Sequence, residues 1–386
     1  MTEVRIHPNP RPLDDDTRAR VLAAPVFGAN FTDHMVVMRY ADGAWGPLEV
    51  QPFAPLGLSP ATLALHYGQS VFEALKAYRL EDGRVALFRP DRNAARMRAS
   101  SARLAIPALP EGAFELACAL LAAIDRDWVS ASEGAALYVR PFAFASEAHL
   151  SVRPAEEYLF IVIASPVAEY FGDRLRAISV AVEASDVRAS TGGTGAVKFA
   201  GNYAAGFAAH GRAAAAGHDQ VLWLDAAERR WVEELNAMNV VFVWQRLGRT
   251  VLTTPPLTGT ILDGVTRDSL LTLARDVDGI DEIAEEPTSI DEVLRGLSDG
   301  SLAEVFACGT AAVVAPIGAI HHDGVTRAVG DGEPGRLTVE LRRRLIDLQQ
   351  GRRPDPHGWV VPVEDLLPEG ALPAGRGAPD PAGDAR

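Results

Sequence analysis

The chain has 386 residues, and at about 150 residues per domain that length implies two domains, three at most. Fifty-one Asp and Glu against thirty-seven Lys and Arg leave a net charge of −14, the wrong sign for gripping a phosphate backbone, so no nucleic-acid partner is expected. No run approaches the roughly 18 apolar residues of a membrane span, and the first twenty residues, with Asp14-Asp15-Asp16 among them, have no apolar signal core. The chain therefore reads as cytoplasmic, with no membrane partner. Two cysteines, Cys118 and Cys308, build neither a disulfide framework nor a cysteine metal site, and no metal is expected.

The front half alternates strands and turns before any helix. His34 to Tyr40 and Trp45 to Val50 flank Ala41-Asp42-Gly43, and Phe72 to Arg79 meets Arg84 to Phe88 across Glu81-Asp82-Gly83, both hairpin patterns. Helical spacing follows over Asp91 to Arg103 and over the apolar stretch Glu111 to Val129, then buried strands over Ala136 to Ala143 and Tyr158 to Ala164. Strands that do not alternate regularly with helices make this an α+β domain, residues 1–168. A polar, glycine-containing break at 169–178 is read as an interdomain linker.

The second domain, 179–363, opens with a strand from Ala177 to Glu183. After it come Thr191-Gly192-Gly193-Thr194-Gly195, a helix from Asn202 to Ala216 stopped by Gly217, and strands at Val221 to Leu224 and Met238 to Trp244. Helices follow over Thr266 to Asp276 and over Ser289 to Leu297, the latter with a Ser289-x-x-Glu292 capping box. Leu302 to Ala307 and Ala311 to Ile320 are strands around Cys308-Gly309-Thr310, and Leu337 to Gln350 is a last helix. The Pro-, Gly- and Ala-rich residues 364–386 read as a disordered tail.

Chemistry concentrates on a scarce residue. Lysine occurs only at positions 76 and 198, while arginine occurs thirty-five times. A chain so biased toward arginine keeps a lysine where a guanidinium fails, and only lysine deprotonates to a nucleophile. Lys198 sits in Gly195-Ala196-Val197-Lys198-Phe199; the flanking Val and Phe rule out a phosphate loop, which needs Gly-Lys-Ser/Thr. A lysine between apolar neighbours is desolvated, which favours the neutral amine that attacks carbonyls. Tyr203, five residues on, is placed to reach back to it. Glu233-Glu234 precede the apolar strand at Met238, and a carboxylate at such a place needs a cationic partner. A protonated pyridine nitrogen is such a cation, and pyridoxal 5′-phosphate enzymes set an acidic residue against it.

Taken together, Gly195-x-x-Lys198-x-x-x-Asn202-Tyr203, Glu234-x-x-x-Met238-Asn239 and Thr254-Pro255-Pro256-Leu257-x-Gly259-x-Ile261-Leu262-x-Gly264-Val265-Thr266-Arg267 resemble the branched-chain amino-acid aminotransferases of the class IV pyridoxal-phosphate family. The likeness runs from about Leu65 to Trp359 and implies the two-domain α+β fold of that class. By resemblance, Lys198 carries pyridoxal 5′-phosphate and shuttles the proton, Glu234 pairs with the pyridine nitrogen, and Tyr203 meets the ring hydroxyl. Arg96, Val265, Thr266 and Thr310 match the positions that hold the cofactor phosphate. A helix opening at Gly264-Val265-Thr266 suits an anion.

The resemblance also implies a substrate pocket of Tyr67, Phe72, Tyr138 and Arg140, with the backbone of Ala237, Thr310 and Ala311 on the substrate carboxylate. Leu150 and Val152, with Tyr67, fall where the family reaches into a neighbouring subunit, so a homodimer is implied. For the aromatics, above all Phe72, the alternative is plain core packing. Lys76 is read as structural. Asn236 and Ala237 stand where many relatives have glycine or threonine, which Asn tolerates through its range of backbone angles. The implied function is transfer of an amino group between Leu, Ile or Val and 2-oxoglutarate, giving glutamate, in a ping-pong cycle. A D-amino-acid aminotransferase and an aminodeoxychorismate lyase are the alternatives on the same fold; a cofactor-free binding protein is the alternative from another class.

Overall fold

The computed structural model describes residues 2–168 and 175–371. The chain divides into two compact units, one of residues 1–169 with 347–386 and the other of residues 170–346. Most of the expected linker, 169–174, lies outside the described residues.

In the first unit, strands follow one another as Val4–Ile6, Leu48–Pro52, His34–Ala41, Tyr158–Val167, Ala136–Ala145, Leu75–Arg79, Val85–Phe88 and Val360–Pro362, with Ala44–Trp45 and Ser70–Phe72 alongside. The pairings are antiparallel except that of Val4–Ile6 with Leu48–Pro52. The helix Ala113–Ile124 packs in the core beside Phe160 and Val162, and every residue of it except Glu115 is buried. Its apolar pattern continues to Val129 in the sequence, but the helix stops at Ile124. There the buried Asp125 carboxylate turns to His34, accepting from its backbone N–H at 3.0 Å and lying 2.6 Å from Nδ1. Arg126–Trp128 follows as a 3-10 turn.

Two expectations about the C-terminal segment are corrected. Residues from Asp347 onward belong to the first unit, not the second, because Val360–Pro362 pairs with Val85–Phe88 and supplies that sheet with an edge. The supposed tail begins with structure, a 3-10 turn over Val363–Leu366 anchored by the buried Val363. Residues 372–386 lie outside the described part.

Nine strands of the second unit, among the described residues, run Val232–Leu235, Gln220–Leu224, Ile178–Glu183, Val313–His322, Leu302–Gly309, Asn239–Arg246, Arg249–Thr254 and Glu282–Glu285, with Val325–Ala328 beside Val313–His322. A further pairing of Val232–Leu235 with Asn239–Arg246 closes six of them into a ring. Ring closure removes the free edge that Val232–Leu235 would otherwise present, while Glu282–Glu285 still ends the sheet, and it gathers a core containing Leu222, Phe242, Trp244 and Ile317. Glu234 therefore lies inside a strand, opposite Asn239 at the closing pair, rather than ahead of one. The helix expected from Asn202 to Ala216 is two, Ala200–Ala204 and Phe207–Ala215, parted near Gly206; Gly217 ends the second at φ +86°.

Candidate active site

Lys198 is buried and its Nζ donates to the Tyr203 hydroxyl at 2.9 Å. The five-residue spacing works because the helix Ala200–Ala204 begins between them and turns Tyr203 back onto the lysine. Asn202, which the sequence motif contains without a role, holds the preceding loop. Its amide donates to the carbonyls of Thr194 and Val197 at 2.7 and 3.0 Å and accepts from the Thr194 hydroxyl at 2.6 Å. Gly195 has no room for a side chain, since a Cβ would collide with the Thr260 carbonyl and Ala189. The Gly-rich run is thus a packed support for the lysine.

Glu234 is buried, with Arg188 Nη2 at 2.9 Å from its Oε1 and the Asn239 amide donating to its Oε2 at 3.0 Å. Burial pushes its carboxyl up to about 7, while the Arg188 charge, the Leu262 N–H and the Lys198 charge pull it down. Arg188 carries no motif signal, being one arginine among thirty-five; its burial beside a carboxylate is a property of the tertiary structure. Glu233, next along the strand, points to the other side, as strand geometry requires.

The helix Val265–Ala274 starts at Gly264, which offers no side-chain cap to its first N–H groups. Gly264 must be glycine because a Cβ would strike the Asn239 amide, so the residue that braces Glu234 also shapes this helix start. Val265 and Thr266 are buried in the first turn. Thr310 and Ala311 form the turn between Leu302–Gly309 and Val313–His322, and Ala237 lies close to Gly309. Asn236 is outside the left-handed region. It serves through its side chain, which accepts from Trp223 Nε1 at 2.7 Å, a correction to the expectation that backbone tolerance explains it.

In the first unit, Arg140 lies over the Phe72 ring at 4.8 Å and donates to the Tyr138 hydroxyl at 2.8 Å. These three form one cluster, and Phe27 extends it by an edge contact of 5.1 Å with Tyr138. Phe27 stands alone in a loop, where nothing in the sequence marks it for this cluster. The Tyr67 hydroxyl donates to the Leu150 carbonyl at 2.6 Å. Leu150 and Val152 are 59% and 85% exposed, so within their own unit they wall no pocket. Arg96 is held by Glu73, with Nε and Nη2 donating to the two carboxylate oxygens at 2.7 and 2.9 Å, and Asn93 donates to the same carboxylate at 2.8 Å. Glu73 is fully buried and orients Arg96; no motif pointed to it. Lys76 is buried in a strand opposite Tyr138.

The amino-transferase class IV family model matches residues 70–320. A probable branched-chain-amino-acid aminotransferase of Streptomyces coelicolor is 50% identical over 92% of this chain and 98% of its own length. The chain belongs to the branched-chain aminotransferases of class IV. Another such relative, the Mycobacterium tuberculosis branched-chain-amino-acid aminotransferase, is 47% identical over 91% of this chain and 95% of its own. Among solved structures, the T.th. branched-chain amino acid aminotransferase with pyridoxamine 5′-phosphate aligns with a TM-score of 0.68 at 29% identity, covering 84% of this chain and 98% of that one. The Escherichia coli branched-chain aminotransferase aligns with a TM-score of 0.67 at 25% identity, over 86% and 99%. As in other class IV aminotransferases, the cofactor is pyridoxal phosphate. The residues present fit it: a buried lysine, a buried carboxylate braced for a ring cation, and an uncapped helix start for the phosphate.

Proposed function

We propose that the protein transfers the amino group of Leu, Ile or Val to 2-oxoglutarate, yielding the branched 2-oxo acid and L-glutamate in two half-reactions at one site. The observation that carries this is the Lys198–Tyr203 contact of 2.9 Å in the same unit as the buried, ion-paired Glu234. When bound, pyridoxal phosphate supplies an electron sink for the bond broken at the substrate α-carbon.

The chain's own residues do the rest. Lys198 Nζ would hold the cofactor between turnovers and, once released from it, would take the proton from the substrate α-carbon and give it back within the same half-reaction. Tyr203 keeps the lysine amine directed and would hold the ring hydroxyl. Glu234 would face the ring nitrogen, and the Arg188 charge offsets part of the cost of holding that carboxylate buried. Val265, Thr266 and Thr310, with Arg96 oriented by Glu73, hold the phosphate. The backbone N–H groups of Ala237, Thr310 and Ala311 bind the substrate carboxylate, while Tyr67, Phe72, Tyr138 and Arg140 receive its side chain. The enzyme works as a cytoplasmic homodimer. The exposure of Leu150 and Val152 on a loop tied to Tyr67 supports a role for that loop against a second subunit, and no helix among the described residues is long and apolar enough to cross a membrane.

A panel of amino donors with 2-oxoglutarate tests the reading. Transfer from Leu, Ile and Val is expected. Transfer from D-amino acids alone, or pyruvate release without an acceptor, would replace it by one of the alternatives on the same fold.

A further inference from the structure

Behind the catalytic carboxylate, on the other side of the strand Val232–Leu235, lies a cavity of about 490 Å³ within the second unit. Such a volume falls in the range of small-molecule sites, about 300–1,000 Å³. Its walls are mainly apolar, with Trp231, Val232, Pro255, Pro256, Ile261 and Pro287, and carry hydroxyls at Ser190, Thr191, Thr258 and Thr260. Lys198, Tyr203, Glu234 and the phosphate-binding residues line none of it. The proposed reaction leaves it unused.

One polar group is out of place there. Glu233 is 5% exposed, lines the cavity, and its Oε2 has no hydrogen-bond partner among the described residues. A buried carboxyl oxygen with no partner is costly, and burial pushes this carboxyl up, with the Thr260 hydroxyl and the Arg188 charge pulling it back. The surroundings are short of positive charge. Arg188 is engaged with Glu234, and Asp225, also on the cavity wall, accepts the backbone N–H groups of Ala227, Glu228, Arg230 and Trp231, which hold its carboxyl below the usual range despite partial burial. Asp225 is therefore a fixed anion beside Glu233. Apolar walls do not suit a hydrated metal ion; they suit an organic cation whose body replaces water along Trp231 and the prolines.

The geometry points to a second binding site, for a small apolar molecule bearing an ammonium group that donates to Glu233 Oε2. It adjoins the first without sharing a residue with it: the wall residue Thr260 is the one whose carbonyl accepts from Arg188.

The test uses the holoenzyme and N,N-dimethylbenzylamine, a tertiary ammonium that cannot condense with the cofactor aldehyde. Calorimetric titration should show saturable binding at one site per chain, undiminished when leucine is present at saturation. Glu233→Gln, which keeps the side-chain shape, should weaken binding about tenfold or more through loss of the charge partner while the cofactor band and melting temperature are retained. Ala226→Phe, which crowds the cavity without touching the carboxylate, should weaken it too, and neutral benzyl methyl ether should not compete. Absence of saturable binding, displacement by leucine, or equal affinity in Glu233→Gln would each overturn the proposal.

Discussion

Arg188 Nη2 lies 2.9 Å from Oε1 of Glu234, and both side chains are buried. The carboxyl nevertheless remains raised to about 7 from 4.5, because burial outweighs the guanidinium. An acid whose folded value is raised contributes stability that is present below its unfolded value and lost as pH rises through the folded one. Cofactor-free protein should therefore lose stability between about pH 4.5 and 7, by about 3 kcal/mol from this group. Thermal melts across that window should show the slope, and Glu234→Gln should flatten it. Arg188→Leu should carry the slope above pH 7 and lower cofactor affinity, measured by fluorescence titration.

Lys198→Arg should be as inactive as Lys198→Ala, since a guanidinium neither condenses with the cofactor nor releases its proton. Borohydride reduction of the wild type should attach cofactor to a single peptide containing Lys198. Attachment at the buried Lys76 would undo the assignment.

The two adjacent glutamates should separate cleanly. Glu234→Gln should lower turnover by about two orders of magnitude or more with cofactor still bound, because the ring nitrogen loses the charge that keeps it protonated. Glu233→Gln should change turnover little. The reverse outcome in a steady-state assay would place the cofactor on the other side of the strand.

Arg140, stacked on Phe72 and bonded to Tyr138, is the residue expected to receive the γ-carboxylate of glutamate, which cannot be buried unpaired. Arg140→Leu should slow the glutamate half-reaction far more than the leucine half-reaction, whose isobutyl group gains about 1.5–3 kcal/mol from burial alone. Single-turnover measurements of each compare them. Equal losses would show that Arg140 only organises the cluster.

Glu73→Gln should weaken cofactor binding by about tenfold, since Arg96 loses a bidentate partner and its fixed orientation. Unchanged cofactor affinity would reduce Glu73 to a structural anchor.

Local chemistry made much of this protein readable in one dimension. The hairpins announced themselves by turn residues, the capping box by Ser289 and Glu292, whose backbone N–H does donate to the Ser289 hydroxyl at 3.2 Å, and Lys198 by its scarcity and its apolar neighbours. Each signal spans a few residues, so spacing alone carries it. The groups that sequence left silent act over long separations. Arg188 meets Glu234 forty-six positions on, Glu73 meets Arg96 across two strands and the start of a helix, and Val360–Pro362 returns to an edge laid down at Val85–Phe88. One arginine among thirty-five carries no mark of burial. Only closure of the six-strand ring, which sets Glu234 opposite Asn239 and turns Glu233 the other way, decides which carboxylate is braced by charge and which is left facing a cavity.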